Sequence, residues 1–340
     1  PDTFFLAPFR ESQTAISAYY LVDNISNILK YETPVMGNPW MIPFEFPFYQ
    51  LLVSIFAEQD PQNIRDIGRL MSLLFFFGSV FIWKDILDIL GLTKDIKKAF
   101  LLILLASPIY FSYSFAVMIE SSAIFLASLY LKYALKFFEN HSFLFLFTSV
   151  IFGLIASITK ATTWFPFGTF LTCNILSLFI IGKIDLRQTL VFLIIFLVPN
   201  IVVAFSWTGF TDSLKVLSPI GEAVSSENLS NWNYGTIDQK TNIFLILFII
   251  LKSMIFSIGA IFIMTFFLPI RDFFSELALE KKLLIGSLLI AFIAPILIFT
   301  NLHLRHDYYT YANGIFLIAL FSVLLGNYFF ENKNLKFLSG

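Results

Sequence analysis

Charge is what this sequence has least of. Only 13% of its 340 residues are Asp, Glu, Lys or Arg, whereas 58% are hydrophobic and 44 are phenylalanine. A water-soluble domain of this length needs far more charge to cover its surface, so a soluble globular fold is excluded. Cysteine is nearly missing as well. Cys173 stands alone inside an apolar run, so no intrachain disulfide can form and cysteine usage says nothing about compartment. No Gly-rich phosphate loop is present, which argues against ATP-driven transport. Neither a G-x-S-x-G elbow nor an H-E-x-x-H pair occurs. The basic residues form no stripe suited to nucleic acid. There is no soluble domain, repeat or low-complexity linker. The chain opens at Pro1 with no signal peptide, and a helix ahead of it is expected.

What is there instead is a series of long apolar runs. A bilayer core takes about 20 apolar residues per helix. On that measure nine spans are expected, at about 66–83, 99–115, 117–137, 142–159, 163–181, 188–208, 253–270, 283–300 and 312–330. The fold class is therefore an all-α polytopic membrane protein, a single transmembrane domain over 1–340. It divides into an outer loop (1–65), six transmembrane helices (66–208), a second outer loop (209–241), and an amphipathic segment with three further helices (242–340). Orientation follows from Lys and Arg in short loops. One side holds 13 of the 22 basic residues: Lys84, Lys94, Lys97, Lys98, Lys132, Lys136, Lys183, Arg187, Arg271, Lys281, Lys282, Lys333 and Lys336. That side is expected to be cytoplasmic. Lys252 lies within a hydrophobic run.

The first outer loop carries a helical pattern in Ala15, Ala18, Val22, Ile25 and Leu29, with Gln13, Ser17, Asn24, Asn27 and Lys30 on the other side. Such a helix is too polar to span and is expected in the interface plane. Four prolines in TPVMGNPWMIPFEFPFYQ then forbid a continuous helix.

Four groups of charges need explaining. Glu11 suits either a helix-dipole contact in a first turn or a general base at an interfacial site. Glu120 falls at the outer end of an apolar run. An ionised carboxylate there costs several kcal/mol unless partnered, so it is either functional or reaches interfacial water. Lys160, between two closely spaced spans, either snorkels to headgroups or faces a cavity as the partner of a phosphate. The last outer loop, NLHLRHDYYTYANG, gathers His303, Arg305, His306, Asp307, Tyr308 and Tyr309. An aromatic belt explains its tyrosines. The His-x-Arg-His-Asp run is dense in donors suited to an anionic ligand, and its spacing matches no metal motif.

The order of these features resembles the bacterial GT-C-fold glycosyltransferases related to protein O-mannosyltransferases and lipid A aminoarabinose transferases. FRESQTA is similar to the family's first outer-loop motif and FEFPFYQ, with Glu45, to the proline-containing segment after it. GRLMSLLFFFGSVFIWKDIL resembles its second transmembrane helix, VMIESSAIFLASLYL its acidic fourth helix start, ITKAT its lysine turn, and HDYYTYANGIFLIAL its late outer loop and helix. The resemblance covers nearly the whole chain and rests on order and spacing. It departs at Gln13, where relatives often carry an acidic residue, while Glu11 stands two residues earlier.

The resemblance implies transfer of a sugar from a polyprenyl-phosphate donor to a glycan, lipid or protein acceptor, on the outer face of the inner membrane, in cell-envelope glycan biosynthesis. It implies catalytic roles for Glu11 or Glu120, and phosphate binding by Arg10, Lys160 and Arg305 with His303 and His306 behind them. Gln13, Glu45, Asp307, Tyr308 and Tyr309 would complete the substrate site. No cofactor is assigned, and dependence on a divalent metal stays open. A lipid flippase or transporter, or a polysaccharide polymerase or ligase of another membrane fold, would share the membrane charges. Flippases and transporters usually show broken helices and internal symmetry, which are not visible here.

The charge asymmetry makes a topological prediction. Cysteines placed at Lys97 and Lys98 should resist an impermeant thiol reagent added from outside, and one at Ser225 should react. The opposite labelling pattern would invert the scheme.

Overall fold

The computed structural model describes residues 7–34, 38–267 and 277–326. Every regular element among them is helical. Six helices are long and apolar enough to cross a membrane: Pro61–Ile89, Phe143–Ile180, Leu186–Lys215, Ile243–Ile263, Leu279–Ile298 and Asp307–Gly326. The chain is an all-α, multi-pass membrane protein.

Local signals in the sequence set the element ends. After α1 (Pro8–Leu21), a short 3-10 turn (Ile25–Lys30) and α2 (Phe48–Phe56) comes α3 (Pro61–Ile89). It starts where the Asp60 side chain accepts from the Asn63 N–H at 2.9 Å, with Pro61 at the first helical position. Next are α4 (Lys94–Ala106), α5 (Pro108–Tyr113), α6 (Glu120–Asn140) and α7 (Phe143–Ile180). Gly182, at φ 74°, ends α7 in the left-handed conformation that glycine adopts without strain. Asp185 and Gln188 then form a reciprocal capping box that opens α8 (Leu186–Lys215). Short α9 (Ser230–Tyr234) and α10 (Ile237–Thr241) lead to α11 (Ile243–Ile258), α12 (Leu279–Ile298), α13 (Thr300–Arg305) and α14 (Thr310–Gly326).

The expected spans need two corrections. The run 99–115 is split, because Pro108 has no N–H to donate and holds Ser107 extended at ψ 125°. The span placed at 253–270 starts at Ile243, so residues 243–252 belong to a membrane helix and are not a separate amphipathic segment. Lys252 is tolerated within it because its ammonium meets the Asp307 carboxylate at 3.0 Å. The runs 142–159 and 163–181 form one 38-residue helical stretch broken only at Lys160 (φ −162°, ψ 93°), where the expected turn between two spans falls. The expected ends at 270 and 330, together with Arg271, Lys333 and Lys336, lie outside the described residues.

The chain reverses at Lys160. A straight helix of that length would be roughly 57 Å long, against about 30 Å for a bilayer core. Before the break, Ser149 donates to the Tyr130 carbonyl in the middle of α6, and Lys160 then reaches Glu120 at its head. After the break, Trp164 packs near Tyr130 again, with ring centroids 6.1 Å apart. Phe167 meets Trp83, whose indole donates to Ser128. Residues 161–180 therefore run back beside α12. Phe165 touches Phe299 at one end, and Lys183 pairs with Glu280 at the other.

Burial ranks the helices. In the most apolar stretch of α14, 89% of residues are buried, against 17% for α8, so α14 is central and α8 faces lipid. Around α14 the rings of Trp83, Phe167 and Phe170 all meet Phe316, at 5.4, 4.9 and 5.4 Å. Edge and tilted contacts of this kind are favoured between aromatic rings, and they use the chain's phenylalanine excess.

α1 differs from expectation in two ways. It ends at Leu21, giving way to the 3-10 turn, so the helical pattern out to Leu29 is only partly realised. Its polar side also faces the protein: Glu11, Gln13, Thr14 and Ser17 are buried along with Ala18 and Leu21. Helix α1 rests on a second apolar cluster of Ala18, Tyr49, Val53, Ile64, Val117 and Ile119. That cluster fixes the turn that leads into α6. Tyr49 donates to the Gly68 carbonyl at 2.6 Å, and Ser72 donates to the Ala116 carbonyl at 2.6 Å.

Gly68 permits this approach. A Cβ there would lie 2.8 Å from Val117 Cγ1 and 3.2 Å from the Tyr49 hydroxyl, while one at Gly286 in α12 would meet nothing within 4 Å. Gly68→Ala should therefore cost about 1–3 kcal/mol by overpacking. Gly286→Ala should be neutral or gain up to about 1 kcal/mol from helix propensity. Thermal unfolding of both variants in detergent checks the difference in sign, and equal shifts would contradict it.

Candidate functional site

Segments distant in sequence meet at the end of the bundle where Glu120 and Lys160 lie. α6 begins at Glu120, so the carboxylate stands in the first helical turn, where the helix dipole favours negative charge. Its side chain is only 2% exposed. Lys160, at the reversal in α7, donates from Nζ to Glu120 Oε1. Backbone extension at that residue lets the ammonium turn inward. Nζ also lies 5.1 Å from the Tyr308 ring centroid and 4.8 Å from that of Tyr309, within cation–π range. Glu120 Oε2, Thr159 Oγ1 and His303 Nδ1 are buried with no hydrogen-bond partner among the described residues. Buried polar atoms normally find partners, so a group of unmatched ones suggests a place for a polar ligand.

A second ion pair adjoins the first. Arg10 reaches Glu45 Oε1 at 2.9 Å through Nη2 and donates to Gln13 Oε1 at 2.9 Å through Nη1. Gln50 donates to the same Glu45 oxygen at 3.2 Å. Burial works against the Arg10 charge, but Glu45 first and Glu120 next outweigh it, and the guanidinium is held more firmly charged than usual. Glu45 is positioned by the proline-rich strap. Tyr31 donates to its carbonyl at 2.9 Å, and the Phe46 N–H donates to the Ile158 carbonyl at 3.0 Å beside the Lys160 reversal.

Glu11 is also buried. Its Oε2 accepts from the Val117 N–H at 3.2 Å, which ties α1 to the turn just before Glu120.

The His-x-Arg-His-Asp segment divides by role. His303 is buried; desolvation, then Lys252 and Lys160, push it down to about 3, so it is neutral at physiological pH. His306 stacks on Tyr308 with centroids 5.1 Å apart. Asp307 is committed to Lys252, which also donates to the Leu304 carbonyl at 3.2 Å. Expected as a ligand contact, Asp307 acts as a strut for the loop that carries Tyr308 and Tyr309. Arg305 is exposed and forms no ion pair among the described residues, so it stands apart from the Arg10–Lys160 group it was expected to join. Sequence reasoning missed Gln50, Thr159 and the part played by Lys252. For Lys252 a signal existed: a lone lysine in an apolar run requires a partner.

A cleft of about 530 Å³ opens between the second half of α7 and α8, lined by residues such as Trp164, Gly168, Leu197, Ile201 and Phe205. It extends to Tyr309, the ring beneath Lys160. No group of three or more His, Cys, Asp or Glu side chains among the described residues could hold a metal ion. No protein-family model matches the chain, and no curated protein or solved structure matches it either.

The central pair has a thermodynamic signature. Removing one member of a buried ion pair leaves an uncompensated charge and costs about 3–5 kcal/mol. Lys160→Met alone should lose that much. In a Glu120→Gln background the same substitution should cost less than half as much. Unfolding measured in bicelles over the double-mutant cycle checks this, and additive losses would show the two groups to be uncoupled.

Proposed function

We propose that this chain is a membrane glycosyltransferase that moves a sugar from a polyprenyl-phosphate donor to a hydroxyl acceptor at the outer face of the inner membrane. The observation that carries the reading is the buried Glu120–Lys160 pair, with one Glu120 oxygen free of partners among the described residues, beside the Arg10–Glu45 pair. One place thereby holds two cations able to meet a phosphate and one carboxylate oxygen able to take a proton. The apolar cleft supports the same reading, because it would let a lipid tail remain among membrane helices while its headgroup reaches Lys160.

In this reading the acceptor oxygen attacks the anomeric carbon, whose bond to the phosphate oxygen breaks, and the polyprenyl phosphate departs with the electron pair. The hydroxyl proton passes to Glu120 Oε2. Arg10 and Lys160 stabilise the charge that grows on the leaving phosphate, turning toward it from Glu45 and Glu120. Glu11 is better suited to positioning than to proton transfer, since its Oε2 accepts a backbone N–H that leads directly into α6. The neutral His303 offers a hydrogen-bonding nitrogen without adding charge.

The test uses the full chain in nanodiscs with a panel of radiolabelled polyprenyl-phosphate hexoses and a membrane extract as acceptor. Label should move from lipid to acceptor. Glu120→Gln should lower turnover per folded molecule by about 10²–10⁴, the usual worth of a general base, with Glu120→Asp retaining more. Arg10→Ala should weaken donor binding by about 1.5–3 kcal/mol. Arg10→Lys should recover only part, having lost the planar fork that grips two phosphate oxygens. If both Arg10→Ala and Glu120→Gln bind donor and turn over like wild type, the site lies elsewhere.

A further inference from the structure

Beyond the buried pairs, an unbroken series of aromatic rings runs from solvent to Lys160. Trp232, in α9 of the second outer loop, is 45% exposed. Its ring meets His306 edge-on at 5.8 Å; His306 stacks on Tyr308 at 5.1 Å; Tyr308 meets Tyr309 at 4.8 Å. Both tyrosines lie beneath the Lys160 ammonium. We propose that Trp232 and His306 form a saccharide-binding platform that guides a glycan acceptor to Glu120. This rests on the transferase reading and names its acceptor class.

Three observations carry the proposal. First, the tryptophan is held in place. Its carbonyl accepts from Asn301 Nδ2 at 2.8 Å, and Asn301 Oδ1 accepts from Gln239 at 3.1 Å. Gln239 in turn closes a capping box with Thr236. An aromatic residue that merely dips into headgroups needs no such fixing. Second, the chemistry matches. One face of a pyranose is a sheet of polarised C–H bonds, which packs against the electron-rich face of an aromatic ring while the hydroxyls project outward. Asn231 and Asn233 flank Trp232 with amides suited to hydroxyls. His306 is lowered by burial and then by Lys160, so its ring stays uncharged at neutral pH. Third, charge on the loop that carries Trp232 disfavours an anionic headgroup there, although Arg305 beside His306 is exposed. The loop 209–241 carries Asp212, Glu222, Glu227 and Asp238 against Lys215 and Lys240. A lipid-binding loop would carry the opposite sign.

The experiment applies fluorescently labelled full chain in nanodiscs to an array of oligosaccharides with hexose, deoxyhexose, N-acetylhexosamine and uronic acid termini. Wild type should be retained by a subset of these. Trp232→Ala should lower that signal at least tenfold, and Trp232→Phe should keep most of it. Retention of no glycan by wild type, or equal retention by Trp232→Ala, would overturn the proposal. So would a Trp232→Ala variant that loses only binding to phosphatidylglycerol vesicles, the mark of a headgroup anchor. Transfer from the labelled donor, measured in parallel, separates the two readings. Glycan retention without transfer would refute the transferase and leave the platform; transfer without Trp232-dependent retention would refute the platform alone.

Discussion

Burying Glu120 against Lys160 sets the terms for this end of the bundle. An unpaired ion away from water costs several kcal/mol even after the protein relaxes, so neither group could sit there alone. The pair requires α6 to begin at the carboxylate and α7 to break at the lysine. Both occur: Glu120 is the first residue of its helix, and Lys160 has the only non-helical backbone within α7. Holding the head of α6 in register then falls to the preceding turn. Val117 is gripped by the Glu11 carboxylate, and Ala116 by the Ser72 hydroxyl.

The same constraint accounts for the inverted polarity of α1. The N-terminal part of its buried face is polar because it lies beside the Arg10–Glu45 pair and the head of α6, where apolar side chains would leave donors and acceptors unmatched, while Ala18 further on joins the apolar cluster. Ser17 illustrates the solution: its hydroxyl bonds to the Gln13 carbonyl within the helix and pairs with Thr33 across the loop, both at 2.9 Å. Arg10 and Gln13 continue the network toward Glu45 and Gln50. A hydrophobic-moment argument assumes that a helix at an interface turns its apolar side to the protein or lipid. It fails where the protein surface beneath is itself a polar site.

That explains which parts of the structure were legible in the sequence. The membrane helices were, since twenty apolar residues have few other uses. The reversal at Lys160 was legible too, because two runs with only ITKAT between them cannot both span without turning there. Ends that depend on a single residue were less so: Pro108 splits one run, and the Lys252–Asp307 pair extends another. Within the site, Glu120 and Lys160 stood out as charges in apolar sequence, yet nothing in the one-dimensional pattern could pair them across 40 residues. Asp307 looked like part of a ligand-binding cluster because it adjoins histidine and tyrosine. Its carboxylate instead answers a lysine 55 residues away.

What marks this end of the bundle is unmet hydrogen-bonding capacity held next to two buried ion pairs. Beneath α1 the polar groups named above satisfy one another apart from Gln50 Oε1. Around Lys160 three buried atoms have no partner among the described residues: Glu120 Oε2, Thr159 Oγ1 and His303 Nδ1. A low-dielectric surrounding raises the cost of such unmatched groups and equally raises the worth of whatever matches them. A ligand entering with a phosphate and hydroxyls brings acceptors for the cations and a donor for the carboxylate. The two ion pairs would keep each charge compensated until that exchange. An enclosed pair of opposite charges can thus hold buried charged groups ready in a membrane protein, because each group already has a partner that the proposed substrate would displace.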